Sequence, residues 1–122
     1  MIRDKGSKPV VVVSGSSGAI GAAVVEDLRS NGLIVSGISR SSSSGASNLS
    51  TYSADVGSVD SLMMARSKMA EDGLRASHLV TCSAAPGASS PFLDSTEVDW
   101  KTLFDVDVFG IVNLARVFGQ DL

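Results

Sequence analysis

The chain has 122 residues, enough for one domain with a modest core, and a formal net charge of −3 from 10 Lys/Arg and 13 Asp/Glu. Charges of both signs are scattered and no basic block occurs, which argues against nucleic acid or an anionic membrane surface as a partner. The lone cysteine, Cys82, excludes an internal disulfide, and the apolar run behind the polar start MIRDKGSKP is too short for a secretory core or a membrane span. A cytoplasmic protein is expected. No metal site is expected either, since His78 is the only histidine and has no second ligand in view.

Residues 1–9 read as a leader closed by Pro9, and residues 10–122 as a single, incomplete nucleotide-binding domain. Residues 10–14 (VVVVS) form a continuous apolar run, the pattern of a strand covered on both faces of a parallel sheet. Residues 19–31 turn helical, with Ile20, Val24 and Leu28 on one stripe and Gly32 as the stop. LIVSGIS (33–39) is a second strand, and the serine-rich residues 40–50 are a loop. A third strand is expected at 51–54, then a helix at 58–71 with Val59, Leu62, Met63 and Met69 inward, ended by Gly73. HLVTCSA (78–84) reads as the fourth strand. Thr96 and Asp99 then have the spacing that opens a long last helix. Strands alternating with helices predict βαβ units and a doubly wound parallel sheet of the Rossmann type, with strand order 3-2-1-4 and strand four as a bare apolar edge.

The stretch Gly15-Ser-Ser-Gly18-Ala-Ile-Gly21 follows strand one directly and opens helix one. In that context the glycines permit a tight turn (Gly15), backbone approach to a pyrophosphate (Gly18) and close helix–sheet packing (Gly21). The helix N-terminus offers free N–H groups to the phosphates, and Ser16 and Ser17 add hydroxyls. The alternative is a glycine-rich turn that binds nothing. The spacing is not the common G-x-G-x-x-G, and no Gly-Lys-Ser/Thr is present, which disfavours a nucleotide triphosphatase. At the end of strand two an acid would bond the ribose hydroxyls of NAD, whereas a cation would accommodate the extra phosphate of NADP. Ser39 stands where the acid would fall and Arg40 follows, with Ser41 beside it. A guanidinium grips phosphate through paired hydrogen bonds. Read otherwise, Arg40 is a solvated loop residue.

SGSSGAIG (14–21) resembles the glycine turn of the short-chain dehydrogenase/reductase family, and STEVDWKTLFDVDVFGIVNLARVF (95–118) resembles that family's helix after strand four. The resemblance implies a cofactor half built from Gly15, Ser16, Ser17, Gly18, Ile20 and Gly21, with Ser39, Arg40 and Ser41 selecting NADP(H) over NAD(H). It also implies that Asp55 and Val56 line the adenine pocket; alternatively Asp55 only begins the turn before Ser58. Ser83 and Ala84 stand in the loop where the family commonly carries Asn-Asn-Ala-Gly, so both asparagines are missing and different hydrogen bonding is expected.

Asp107 stands where the family usually has an Asn that helps hold a proton-relay water. Its two readings are a relay role and a structural bond to backbone, since a carboxylate on an apolar stripe must be bonded or protonated. That stripe is Trp100, Leu103, Phe104, Ile111, Leu114, Ala115 and Phe118, with Val106, Phe109 and Val117 on the opposite side. A helix apolar all round suggests a homo-oligomer formed through residues 96–120. The family's Ser and Tyr-x-x-x-Lys are not present, since the only tyrosine is Tyr52. The expectation is therefore the cofactor half of an NADP-dependent oxidoreductase that moves hydride to or from a small carbonyl or alcohol substrate. Gly18 also suits the sugar-nucleotide epimerase or dehydratase branch, and a non-catalytic NADP sensor is the third reading. Cys82 reads as a small buried filler.

Overall fold

The computed structural model describes residues 6–41, 49–87 and 89–122, so the start of the leader and most of the serine-rich loop lie outside the described residues. The elements run β1 (Lys8–Ser14), α1 (Ala19–Ser30), β2 (Val35–Ser39), β3 (Ser50–Ser53), α2 (Val59–Glu71), β4 (Leu74–Thr81), α3 (Glu97–Asp107) and α4 (Phe109–Phe118). Single 3-10 turns occupy Phe92–Asp94 and Gly119–Asp121. All strand pairs are parallel, in the expected order β3-β2-β1-β4. The fold is a Rossmann-type doubly wound sheet.

Burial on both faces explains why β1 is uniformly apolar. Val10 and Val12 face a core shared with Ile38, Leu62, Met69, Leu114 and Phe118, so α2 and α4 cover that side. Val11 and Val13 face Val25 and Val35 under α1. The capping signal of the last helix acts as read, with Thr96 and Asp99 exchanging bonds of 2.8 and 3.2 Å, and Ser58 caps α2 at the expected start, its Oγ accepting the Ser61 N–H at 3.2 Å.

Several boundaries and faces differ from expectation. Pro9 does not close a leader but lies within β1, where only β4 pairs, because pairing with β2 starts at Val11. β4 starts at Leu74 rather than at His78 and ends at Thr81. Its first residues pair with Lys8 and Pro9, and Ser77 is an extra residue in the register whose hydroxyl donates to the Val10 carbonyl at 3.0 Å. Polar Arg75 and Ser77 carry no hydrophobic signal, so pairing rather than composition made this strand. His78 lies exposed in mid-strand. β2 begins at Val35, leaving Leu33 and Ile34 exposed before it. In α1, Gly21 and Val25 are buried and the expected Val24 and Leu28 pack partly buried beside them, whereas Ile20 is 73 % exposed. In α2, Ala65 is buried and Met63 is exposed.

The expected single long helix is two helices, interrupted at Val108 (φ −110°, ψ −64°). The inward face nevertheless keeps helical step across the break, from half-buried Leu103, Val106 and Asp107 to Gly110 and Leu114. The inner face of α4 is Gly110, Leu114, Val117 and Phe118; of the predicted stripe Leu114 and Phe118 are buried, while Trp100, Phe104, Ile111 and Ala115 are exposed, because the face that packs is rotated from the predicted one. Asn113 Nδ2 donates to the Val56 carbonyl at 2.9 Å, which ties α4 to the loop after β3.

Candidate nucleotide-binding site

The carboxyl ends of all four strands open into one cleft of about 560 Å³. It lies at the switch point, where β1 is flanked by β2 on one side and β4 on the other. Its size is that of a small-molecule or cofactor site.

The floor is the turn between β1 and α1. Gly15 has φ +68°, and a Cβ there would stand 2.7 Å from the backbone of Cys82 and Ser83, so only glycine permits both the turn and the approach of the chain leaving β4. Two bonds hold that approach: the Cys82 N–H donates to the Ser14 carbonyl at 3.1 Å, and the Ser14 and Ser83 hydroxyls pair at 2.8 Å. A Cβ on Gly21 would collide with the Gly15 carbonyl, which explains the close seat of α1. Gly18 differs. It is the N-cap of α1, and a Cβ there would meet only the Gly15 oxygen at an ordinary 3.4 Å. No side chain caps α1 and no acid stands in its first turn, so its leading N–H groups remain available to an anion.

Of the residues anticipated from sequence, Gly15, Ser17, Gly18, Ser39, Arg40, Ser41, Asp55, Val56, Ser83 and Ala84 line the cleft. Ser16, Ile20 and Gly21 do not. Ser16 is buried where a side chain on Gly37 would collide with its hydroxyl, Gly21 is buried in the helix–turn contact, and Ile20 faces solvent. Ser39 is buried and donates to the Ser41 carbonyl, so its hydroxyl proton is engaged within the loop. Arg40 is exposed at the rim, and its guanidinium has no side-chain partner among the described residues. Asp55 Oδ1 accepts the Gly57 N–H at 2.9 Å, which is the turn-forming use of this side chain.

Asp107 is half-buried behind the wall, and its Oδ1 accepts the Ala85 N–H at 2.9 Å. The residues sequence reading missed are Ile38, Ala54, Cys82, Ala85, Pro86, Thr102 and Val106, all in the lining. Cys82 is half-buried as well as cleft-lining. Thr102 and Val106 are one helical turn apart on α3, a spacing visible in sequence, but only the docking of α3 turns them toward the cleft.

The sequence model of the family described as short chain dehydrogenase matches residues 9–122. The chain belongs to the short chain dehydrogenase family. Similar solved short chain dehydrogenase folds include the ligand-free aldohexose dehydrogenase of Thermoplasma acidophilum, at TM-score 0.82 and 22 % identity over 94 % of this chain and 44 % of that one. A short chain dehydrogenase of Leptospira borgpetersenii solved with bound NAD+ has TM-score 0.80 and 20 % identity over 98 % and 49 %. A short chain dehydrogenase/reductase of Saccharomyces cerevisiae has TM-score 0.81 and 21 % identity over 94 % and 49 %. This chain thus spans about half the length of those dehydrogenases. No curated protein sequence matches it significantly. Short chain dehydrogenases use NAD or NADP, and the geometry fits such a dinucleotide: an open glycine at an uncapped helix start and a cleft that reaches across the sheet. Among the described residues of this chain no helix is long and apolar enough to cross a membrane, and no His/Cys/Asp/Glu group is arranged for a metal.

Proposed function

We propose that this chain is the cofactor-binding part of an NADP(H)-dependent oxidoreductase acting on a small carbonyl or alcohol in the cytoplasm. The observation that carries the reading is Arg40: a cation at the cleft rim without a side-chain partner among the described residues, where an acid would favour the ribose hydroxyls of NAD. An acid there would repel a 2′-phosphate, whereas a guanidinium binds it through paired, charge-assisted hydrogen bonds. The N-terminus of α1 and Gly18 hold the pyrophosphate. Val56 packs on the adenine, and the Asp55 oxygen not engaged by Gly57 accepts its amine. Ser17, Ser41, Ser83 and Ala84 complete the walls. When bound, the nicotinamide supplies or accepts the hydride exchanged with the substrate.

Asp107 acts in this reading as a positioning residue, because its carboxylate fixes Ala85 of the cleft wall. The exposed apolar side chains of α3 and α4, Phe104, Val108, Phe109, Ile111 and Val112, form the face of a homo-oligomer. The test is Arg40→Ala, with NADPH and NADH binding followed by reduced-nicotinamide fluorescence. NADPH affinity should fall about 10- to 100-fold, the scale of hydrogen bonds to a charged group, with NADH affinity nearly unchanged. Equal weakening of both defeats the assignment.

A further inference from the structure

Three successive carbonyls at the rim of the cleft are each held by a donor. The Ser39 carbonyl accepts the Ala54 N–H at 3.0 Å, the Arg40 carbonyl accepts the Ser53 hydroxyl at 3.1 Å, and the Ser41 carbonyl accepts the Ser39 hydroxyl. Two of the donors are side chains of a registered pair, because Ser39 of β2 lies opposite Ser53 of β3. Neither serine belongs to the hydrophobic clusters of the core. Ser53 is exposed at the end of its strand, and an alanine in its place would complete the same β ladder. What the two hydroxyls do is fix the backbone that carries Arg40, just where the chain leaves the sheet.

That fixation bears on charge. Unrestrained loop carbonyls present partial negative charge, and a carbonyl turned toward a phosphate repels it. The hydroxyls bonded to the Arg40 and Ser41 oxygens engage that charge toward β3 and within the loop itself. It also removes backbone freedom that an otherwise loose arginine would lose on binding.

We infer that Ser53, reaching from the neighbouring strand, is a specificity-determining positioning residue: it sets the Arg40 backbone so that the guanidinium discriminates a 2′-phosphorylated nucleotide from an unphosphorylated one. Ser39 is its partner on β2. This rests on the reading of Arg40 given above and adds a second layer to it. Ser53 acts through Arg40 and does not touch the nucleotide.

The test uses adenosine 2′,5′-bisphosphate and adenosine 5′-monophosphate, which differ only in the 2′-phosphate, titrated calorimetrically into the wild-type chain, Ser53→Ala, Ser53→Thr, Arg40→Ala and the Arg40→Ala/Ser53→Ala double variant. Ser53→Ala should lower the affinity ratio between the two nucleotides about fivefold, the scale of one ordinary hydrogen bond, while leaving the monophosphate affinity as it was. Ser53→Thr, which keeps the hydroxyl, should restore the ratio. In the Arg40→Ala background the serine change should alter nothing further, because the group it positions is gone. If Arg40→Ala collapses the ratio but Ser53→Ala does not, the inference is wrong and the reading of Arg40 stands. If Arg40→Ala itself leaves the ratio intact, the cofactor reading fails and the role of Ser53 fails with it. Equal weakening of both nucleotides in Ser53→Ala, rescued or not, also overturns the inference.

Discussion

The Asp107 carboxylate accepts the Ala85 N–H at 2.9 Å, joining the last residue of α3 to the wall of the cleft 22 positions earlier. The bond needs an acceptor and nothing more, so an amide oxygen serves as well. Asp107→Asn should leave unfolding free energy within about 0.5 kcal/mol of wild type, whereas Asp107→Leu, which orphans a half-buried N–H, should cost about 1–2 kcal/mol. Urea unfolding measures both. If Asn proves as damaging as Leu, the carboxylate has a role this contact does not describe.

Gly18 and Gly21 should fail in different ways. A Cβ at Gly18 meets only an ordinary contact, so Gly18→Val should fold and lose dinucleotide binding by at least ~100-fold, since the side chain occupies the path of the pyrophosphate. A Cβ at Gly21 collides with the Gly15 carbonyl, so Gly21→Val should lose the fold itself. Circular dichroism alongside nucleotide titration separates the two. A Gly18→Val protein that still binds tightly counts against a pyrophosphate at this turn.

Tyr52 is buried in β3, and its hydroxyl donates to Asp72 at 2.6 Å, at the end of α2. Burial first, then the Asp72 hydrogen bond and charge, hold its phenol above the ordinary tyrosine value. The folded chain therefore keeps the phenolic proton more tightly than the unfolded chain, where tyrosine titrates near pH ~10. This contribution to stability is complete below that pH and disappears as pH rises through the higher folded value. Urea midpoints measured from pH ~8 to ~11 should fall in wild type and fall less steeply in Tyr52→Phe. Parallel curves would remove Tyr52 from the alkaline transition.

Phe118 is fully buried among Leu62, Leu114 and Val117, where α4 closes the larger core. Phe118→Ala should cost about 3–5 kcal/mol, because the cavity is walled by two helices and a sheet that relax only in part. Val98→Ala, at a site 70 % exposed, should change stability by less than about 0.5 kcal/mol. Similar losses at both sites would mean that α4 does not close the core as described.

The local chemistry of this protein was written in its sequence. An apolar run buried on both faces, a glycine turn directly behind it, Ser58 and Thr96 as caps, and Ser39-Arg40 at a strand end are all short-range patterns, and the structure places each where its pattern implies. The alternation of strands and helices was enough to order the sheet, because parallel strands joined by right-handed crossovers leave few arrangements.

The tertiary structure decided the rest. It broke the last helix at Val108, where the Asp107 bond to Ala85 and the Asn113 bond to Val56 secure the segments on either side, and it packed the face that carries Val117 rather than Ile111 onto the core. It sent Ser16 behind the turn beside Gly37, brought Thr102 and Val106 into the cleft, and set Ser53 under the Arg40 carbonyl. Each of these depends on contact between residues far apart in the chain. Helical and strand periods report which side chains share a face, but the rotation of that face toward a neighbour is chosen only when the neighbour packs against it.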